Sequence, residues 1–210
     1  MDNKKFEVEF IGEINKGKFL ELKEIFEKKG RFKGSKERLS FMYFKDEIPK
    51  DLSEIKDEPI DLRFRVTNKM PEIVLKYGIF SGSHARKEIS INIKNEDIEK
   101  YLEFLALLGW KIGVINATRT SVYEYKEIEF SLVDVKDHGY NFEAEILTDE
   151  DKVKEAKEKI IAELNSLSIR PFDEERLSKY CNAINNNKEL QFDLSKQSFN
   201  ELRNRFKEFF

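Results

Sequence analysis

Hydrophobic and polar positions alternate with a period of two in five separate stretches of the chain. Phe6, Val8 and Phe10 oppose Glu7, Glu9, Ile11 and Glu13, and Leu62, Phe64 and Val66 oppose Arg63 and Arg65. Further on, Ile89, Ile91 and Ile93 oppose Arg86, Glu88, Ser90 and Asn92. Ile128, Phe130 and Leu132 oppose Glu127 and Glu129, and Phe142, Ala144 and Ile146 oppose Glu143 and Glu145. Each pattern predicts a strand with one apolar and one charged face. Shorter candidates at Leu39 to Phe44, Glu72 to Tyr77 and Lys111 to Val122 bring the total to about eight strands, joined as in a mostly antiparallel sheet.

Helical periods separate these strands. Asn15 to about Lys29 carries Phe19, Leu22 and Phe26 on one stripe, with Gly30 as its stop. Asn95 is placed as the N-cap of a helix bearing Ile98, Tyr101, Leu102, Leu105 and Leu108. A third helix follows Thr148 and a fourth carries Leu177, Tyr180, Cys181 and Ile184. After the polar break at Asn185 to Asn187, Ser195 is expected to cap a last amphipathic helix with Phe199, Leu202, Phe206 and Phe209, docked on its own domain.

Composition narrows the possibilities. The chain has 210 residues, 40% hydrophobic and 38% charged, enough for one globular domain without covalent staples. Net charge is -3, so no global basic field draws it to nucleic acid or anionic lipid. The single cysteine, Cys181, excludes an internal disulfide, and no apolar stretch is long enough to span a bilayer. A soluble, cytoplasmic protein with no nucleic-acid or membrane partner is expected.

The charged faces are the informative feature. Alternating charge alone describes the wet face of an ordinary antiparallel sheet. Here it comes in doublets, with Glu-x-Glu at 7 and 9 and at 143 and 145, and Arg-x-Arg at 63 and 65. Carboxylates two residues apart on a strand lie about 7 Å from each other and repel by roughly 2 kcal/mol at an effective dielectric near 20. A hard divalent cation relieves that repulsion, and guanidinium forks match phosphate oxygens. A sheet curled with these faces inward would make a site for a metal-bound polyphosphate, covered outside by the amphipathic helices.

In order along the chain these residues resemble the CYTH family of triphosphate tunnel metalloenzymes, which includes class IV adenylate cyclases, thiamine triphosphatases and inorganic triphosphatases. Glu7-Val8-Glu9 resembles the opening Glu-x-Glu-x-Lys motif, Leu62 to Arg65 the Leu-Arg-x-Arg strand, and Leu75-Lys76 the Leu-Lys step. Arg86 to Glu88 is similar to Arg-x-Glu, Gly109-Trp110 to a Gly-aromatic step, and Arg119 falls where the family has Lys-x-Arg. Asp134 through Gly139 to Glu143 and Glu145 resembles the Asp, Gly, Glu-x-Glu ending, and Ser178-Lys179-Tyr180 the closing Ser-Tyr helix.

The resemblance implies an α+β fold: an eight-stranded antiparallel β-barrel, the triphosphate tunnel, with helices packed outside. It assigns residues 1–184 to the tunnel domain and 185–210 to a C-terminal helical extension. Metal ligands for Mg2+ or Mn2+ would be Glu7, Glu9, Asp134, Glu143 and Glu145. The triphosphate would be held by Arg63, Arg65, Lys76, Arg86, Arg119 and Lys179, with Glu7, Glu9, Glu88 and Arg119 at the chemistry. The expected function is metal-dependent hydrolysis of a small-molecule triphosphate by a monomer or homodimer. The alternatives are cyclisation of ATP and a catalytically degenerate nucleotide- or polyphosphate-binding protein. Two departures bear on activity: Ile11 and Ala117 stand where the family has lysine, removing two charge-assisted contacts of about 1.5–3 kcal/mol each.

The remaining chemistry-bearing residues have simpler expectations. His84 and His138 are too far apart to pair on a metal, and Gly78 to Ser83 lacks the ending of a phosphate-cradling loop. Cys181, Trp110 and the phenylalanines follow core periods.

Overall fold

The computed structural model describes residues 6–51, 60–78 and 87–210, and the loop at Gly78 to Ser83 with His84 and Arg86 falls largely outside them. Asn15 ends the first strand by capping the helix that follows, its side-chain oxygen accepting from the Lys18 N–H at 2.9 Å. The elements run β1 (Phe6–Ile14), α1 (Lys16–Lys29), β2 (Arg31–Phe44), β3 (Ile60–Thr67), β4 (Met70–Tyr77), β5 (Lys87–Asn92) and α2 (Ile98–Leu107). They continue as β6 (Ile112–Tyr125), β7 (Ile128–Val135), β8 (Gly139–Thr148), α3 (Val153–Ser166), α4 (Glu174–Asn186), β9 (Gln191–Asp193) and α5 (Phe199–Arg205).

Eight strands follow the order β1-β8-β7-β6-β2-β3-β4-β5, and β9 pairs with the start of β6. The ladders β1–β8, β8–β7, β7–β6, β6–β9, β2–β3, β3–β4 and β4–β5 are antiparallel. Among the described residues no ladder joins β5 back to β1, so the expected closed barrel is an open sheet here. Alternation tells which side a residue faces, and that is the same in an open sheet and a closed one.

Two two-residue hairpins carry no glycine. Asn68-Lys69 and Lys126-Glu127 take positive φ at both central positions, the requirement of a type I′ turn. Helix α3 holds the second: Lys126 Nζ donates to both Glu163 oxygens at 3.0 and 2.8 Å, and Lys159 bonds Glu127.

The chain divides into two compact units, with the boundaries falling inside β2, β6 and α4. The first, Met1–Lys36 with Thr118–Arg176, buries Val8, Leu22, Phe130, Phe142, Ile160 and Leu164 under α1 and α3. Phe26 stacks at its centre, 5.7, 5.3 and 4.8 Å from the Tyr123, Tyr125 and Phe130 rings. The second, Glu37–Ala117 with Leu177–Phe210, buries Leu39, Phe64, Leu102, Ile115 and Leu202 around Phe41. Residues 185–210 belong to this core through Phe192, Phe199, Phe206 and Phe209. Helix α5 begins later than the sequence suggests. Ser198 caps it in a reciprocal box with Glu201, while Ser195 sits in a turn bonded to Asp193. Ile89 and Ile91, expected as core, are exposed on the edge strand β5. No helix among the described residues is long and apolar enough to cross a membrane.

Gly113 marks a close approach. A Cβ there would sit 2.0 Å from the Met42 carbonyl oxygen and 2.7 Å from the Phe192 ring. Gly113→Ala is expected to cost about 1–3 kcal/mol, which for a chain of this size lowers the thermal midpoint by several degrees. Circular dichroism melting checks this, and an unchanged midpoint would refute so tight a contact.

Candidate functional site

In the second unit, β3 turns Leu62, Phe64 and Val66 into the core and therefore puts Asp61, Arg63, Arg65 and Thr67 on the other face. The register then fixes their neighbours. Lys76 lies between Asp61 and Glu88, Val74 between Arg63 and Ser90, and Glu72 between Arg65 and Asn92. Arg63 forks onto Asp61 with two bonds of 2.7 Å. Arg65, 9% exposed, donates Nε to Glu72 at 2.7 Å and reaches Glu88 at 3.4 Å; Lys76 reaches Glu88 at 3.0 Å. Ser90 also donates to Glu72. Three of the cations predicted from the sequence thus share this face, with Arg65 and Lys76 joined through Glu88 and Arg63 held by Asp61.

The network perturbs its acids. Burial pushes the Glu72 carboxyl up, but the bonds from Arg65 and Ser90 and the charges of Arg65 and Arg38 more than reverse this, leaving it below its ordinary value. Glu88 shows the same balance, with burial outweighed by Lys76 and Arg65. Burial also works against the Arg63 charge, and the Asp61 fork with the Glu88 charge holds the guanidinium protonated regardless.

In the first unit, β1 and β8 turn Val8 and Ala144 into the core, so the residues between them share the opposite face. Glu9 stands directly opposite Glu145, which stands opposite Glu129 on β7, and Glu129 opposite Glu124 on β6. Four glutamates therefore lie in one row, with neighbouring Cβ atoms about 5 Å apart. Glu143 is one row along, flanked by Ile11 and Ser131. Glu124 at the end of the row is paired with Arg31 at 2.6 Å and Lys33 at 3.5 Å. Ser131, Val122, Val133 and Asn141 on this face are buried, so it is not an ordinary wet face. The Glu7 backbone pairs with Leu147; its side chain lies outside the described atoms.

Mg2+ needs only one or two carboxylates besides water and phosphate oxygens, and Glu9, Glu143 and Glu145 fit that donor set. No three His, Cys, Asp or Glu among the described residues converge into a metal-holding group. The unbroken β6–β7 register places Arg119 opposite Asp134, on the same side of the sheet as Tyr123, Phe130 and Leu132. That is the face opposite Glu129 and Glu145. Ala117 is likewise buried in the second unit's core, so a lysine there would not face the charged side. Around Arg119, the β6 residues of the charged side are Asn116, Thr118 and Thr120, which bring amide and hydroxyl groups instead of cations. Lys179 is exposed on α4. Arg86 lies outside the described residues. Burial raises the Cys181 thiol to about 11, in keeping with an inert residue, and lowers His138 against the opposing charge of Glu13.

Sequence reasoning missed Arg38 and Glu129. Arg38 lies just before the strand predicted from Leu39, as a lone arginine without a doublet, and Glu129 stands out only when the register sets it beside Glu145.

Solved structures resemble this one across most of the chain. The PH1819 protein of Pyrococcus horikoshii is 28% identical over 80% of this chain and 93% of its own, with a TM-score of 0.59. A candidate adenylate cyclase of Bacillus halodurans is 18% identical over 81% of this chain and 94% of its own, TM-score 0.57. A candidate adenylyl cyclase of Hippeastrum, described as having a dominant triphosphatase activity, is 14% identical over 83% of this chain and 95% of its own, TM-score 0.53. The fold is shared with candidate adenylate cyclases. No family model matches the sequence, and no curated protein matches it.

The paired acids set a pH dependence. Because Glu72 and Glu88 sit below their ordinary 4.5 in the folded chain, the stability they contribute is present above that value and lost as pH falls through their folded values. Thermal midpoints are expected to fall between about pH 6 and about pH 3.5, and to fall less in Arg65→Leu, whose Glu72 and Glu88 have no Arg65 bonds to lose. An equal drop in both proteins would contradict the assigned pairing.

Proposed function

We propose that the chain binds a small-molecule triphosphate on the basic face of β3 and β4 and hydrolyses it with a divalent cation. The observation that carries this reading is the Arg63, Arg65 and Lys76 group, whose bases share one face and are held in fixed geometry by interleaved carboxylates. Arg63, Arg65 and Lys76 bind and orient the phosphates, and their charge offsets the negative charge that builds on the transferred phosphoryl group. Asp61, Glu72 and Glu88 act as positioning residues, each fixing a base by part of its N–H groups and leaving the rest for the ligand.

Glu9, Glu143 and Glu145, with Glu7 two residues before Glu9, would hold Mg2+ or Mn2+. A cation held there would supply charge neutralisation and an acidified water. The triphosphatase activity described for the Hippeastrum protein of similar fold supports hydrolysis over cyclisation.

A second reading has its own observation. Ile11 stands beside Glu143, where the resemblance has lysine, so the acidic face lacks that cation and a triphosphate could be bound without turnover.

Product analysis separates the two. Purified protein with inorganic triphosphate, thiamine triphosphate or ATP is expected to release phosphate only with Mg2+ or Mn2+. Glu145→Gln and Glu9→Ala should lower the rate by about a hundredfold or more. Binding without product in every case would establish the second reading, cyclic AMP from ATP would establish cyclisation, and neither binding nor product would remove the triphosphate assignment.

A further inference from the structure

Helix α2 buries one apolar side and leaves a second one in water. Ile98, Leu102 and Leu105 lie in the core of the second unit. Tyr101, Phe104 and Leu108 repeat the same helical spacing on a neighbouring stripe, yet they are 40%, 57% and 55% exposed. Leu107, on the side away from the core, is 82% exposed. Polar residues are confined to the first part of the helix, as Glu99, Lys100 and Glu103, and from Phe104 to Leu108 every residue is apolar. A surface helix keeps its outer side polar, and one that is apolar all round is a helix that is covered all round.

The four exposed side chains present roughly 400–500 Å² of mostly apolar surface, as much as the largest patch of an ordinary monomer. Whatever covers them must be apolar and must meet a helix charged only toward its ends. Glu96 and Asp97 stand at the N-terminal end, and the exposed Lys111 stands just past the C-terminal end, beyond the turn at Gly109. A second copy of α2 laid antiparallel across a twofold axis meets both conditions. With Phe104 near the axis, Tyr101 of each chain comes to Leu107 and Leu108 of the other. The acidic end of each helix then approaches the Lys111 end of its partner, and the two helix dipoles oppose each other.

We propose that the chain self-associates through this face, as a twofold dimer in which α2 packs antiparallel against α2 of a second copy. Two such patches bury roughly 900 Å², and with their rims they reach only the lower end of stable interfaces, so the dimer is weak and reversible. A net charge of -3 on each chain opposes it little. The contact leaves the charged face open, since α2 packs on the side of β3 that carries Phe64, opposite Arg63 and Arg65. The dimer stands whether or not that face binds phosphate.

Sedimentation velocity on the purified full chain, from about 1 to about 200 μM, tests it. The average mass is expected to rise from that of one chain towards that of two. Leu107→Gln, at a position too exposed to matter for folding, should raise the dissociation constant at least tenfold while the circular dichroism spectrum and thermal midpoint stay unchanged. Lys111→Glu should weaken association severalfold at low salt, and adding Glu96→Lys to it should restore the loss. The mass of one chain at every concentration overturns the proposal. So does a dimer indifferent to Leu107→Gln, which would use another face. A dimer that Leu107→Gln weakens but the Lys111 reversal leaves alone overturns the antiparallel arrangement.

Discussion

A strand that buries every second side chain must present the others together, and in this protein the others are charged. The apolar half is settled by helices: α1 and α3 in the first unit, α2 and α5 in the second. That packing leaves no freedom about which side the charges take, because a one-residue slip would exchange the two sets completely. Everything at the candidate site follows from this. The rows of Arg63, Arg65, Glu9 and Glu145 are where they are because Phe64, Val66, Val8 and Ala144 are buried.

The two charged faces resolve their electrostatics differently. On β3, β4 and β5 opposite charges alternate in space, so each half-buried guanidinium has a carboxylate within bonding distance and the cost of desolvation is met locally. Such a lattice is stiff, and stiffness is what a site needs if it is to hold several phosphate oxygens without reorganising. On β1, β8 and β7 carboxylates face carboxylates across neighbouring strands. Like charges so placed weaken a sheet, and a protein that keeps them gains most from a bound cation.

The aromatic cores explain how a chain so rich in charge stays folded. Phe26 anchors one unit and Phe41 the other, each within about 6 Å of several rings. The last residues of the chain take part in the second core: Phe192 meets Phe41 and Tyr43 edge-on, and Phe199 meets Phe64. A segment set apart by an asparagine-rich break therefore supplies both a strand and a helix to the unit that carries the basic face.

By itself the sequence determined the strands, their two faces and most of the charged doublets, because alternation is a local property that survives in any tertiary context. Its motifs put Arg63, Arg65 and Lys76 among the phosphate binders, Glu9, Glu143 and Glu145 among the metal ligands, and Glu88 at the chemistry. Other features depend on which strand lies beside which. Only the register shows that Glu129 stands next to Glu145, that Arg38 stands opposite Thr67, and that Arg119 and Asp134 lie on the far side. The resemblance implies a phosphate-binding role for Arg119 and a metal-binding one for Asp134, since a motif counts residues along one strand and carries no information on how the neighbouring strand is aligned. The sheet's open edges and the Ser198 cap were hidden for the same reason: hydrogen-bond partners are chosen by packing, after the local pattern has already been written.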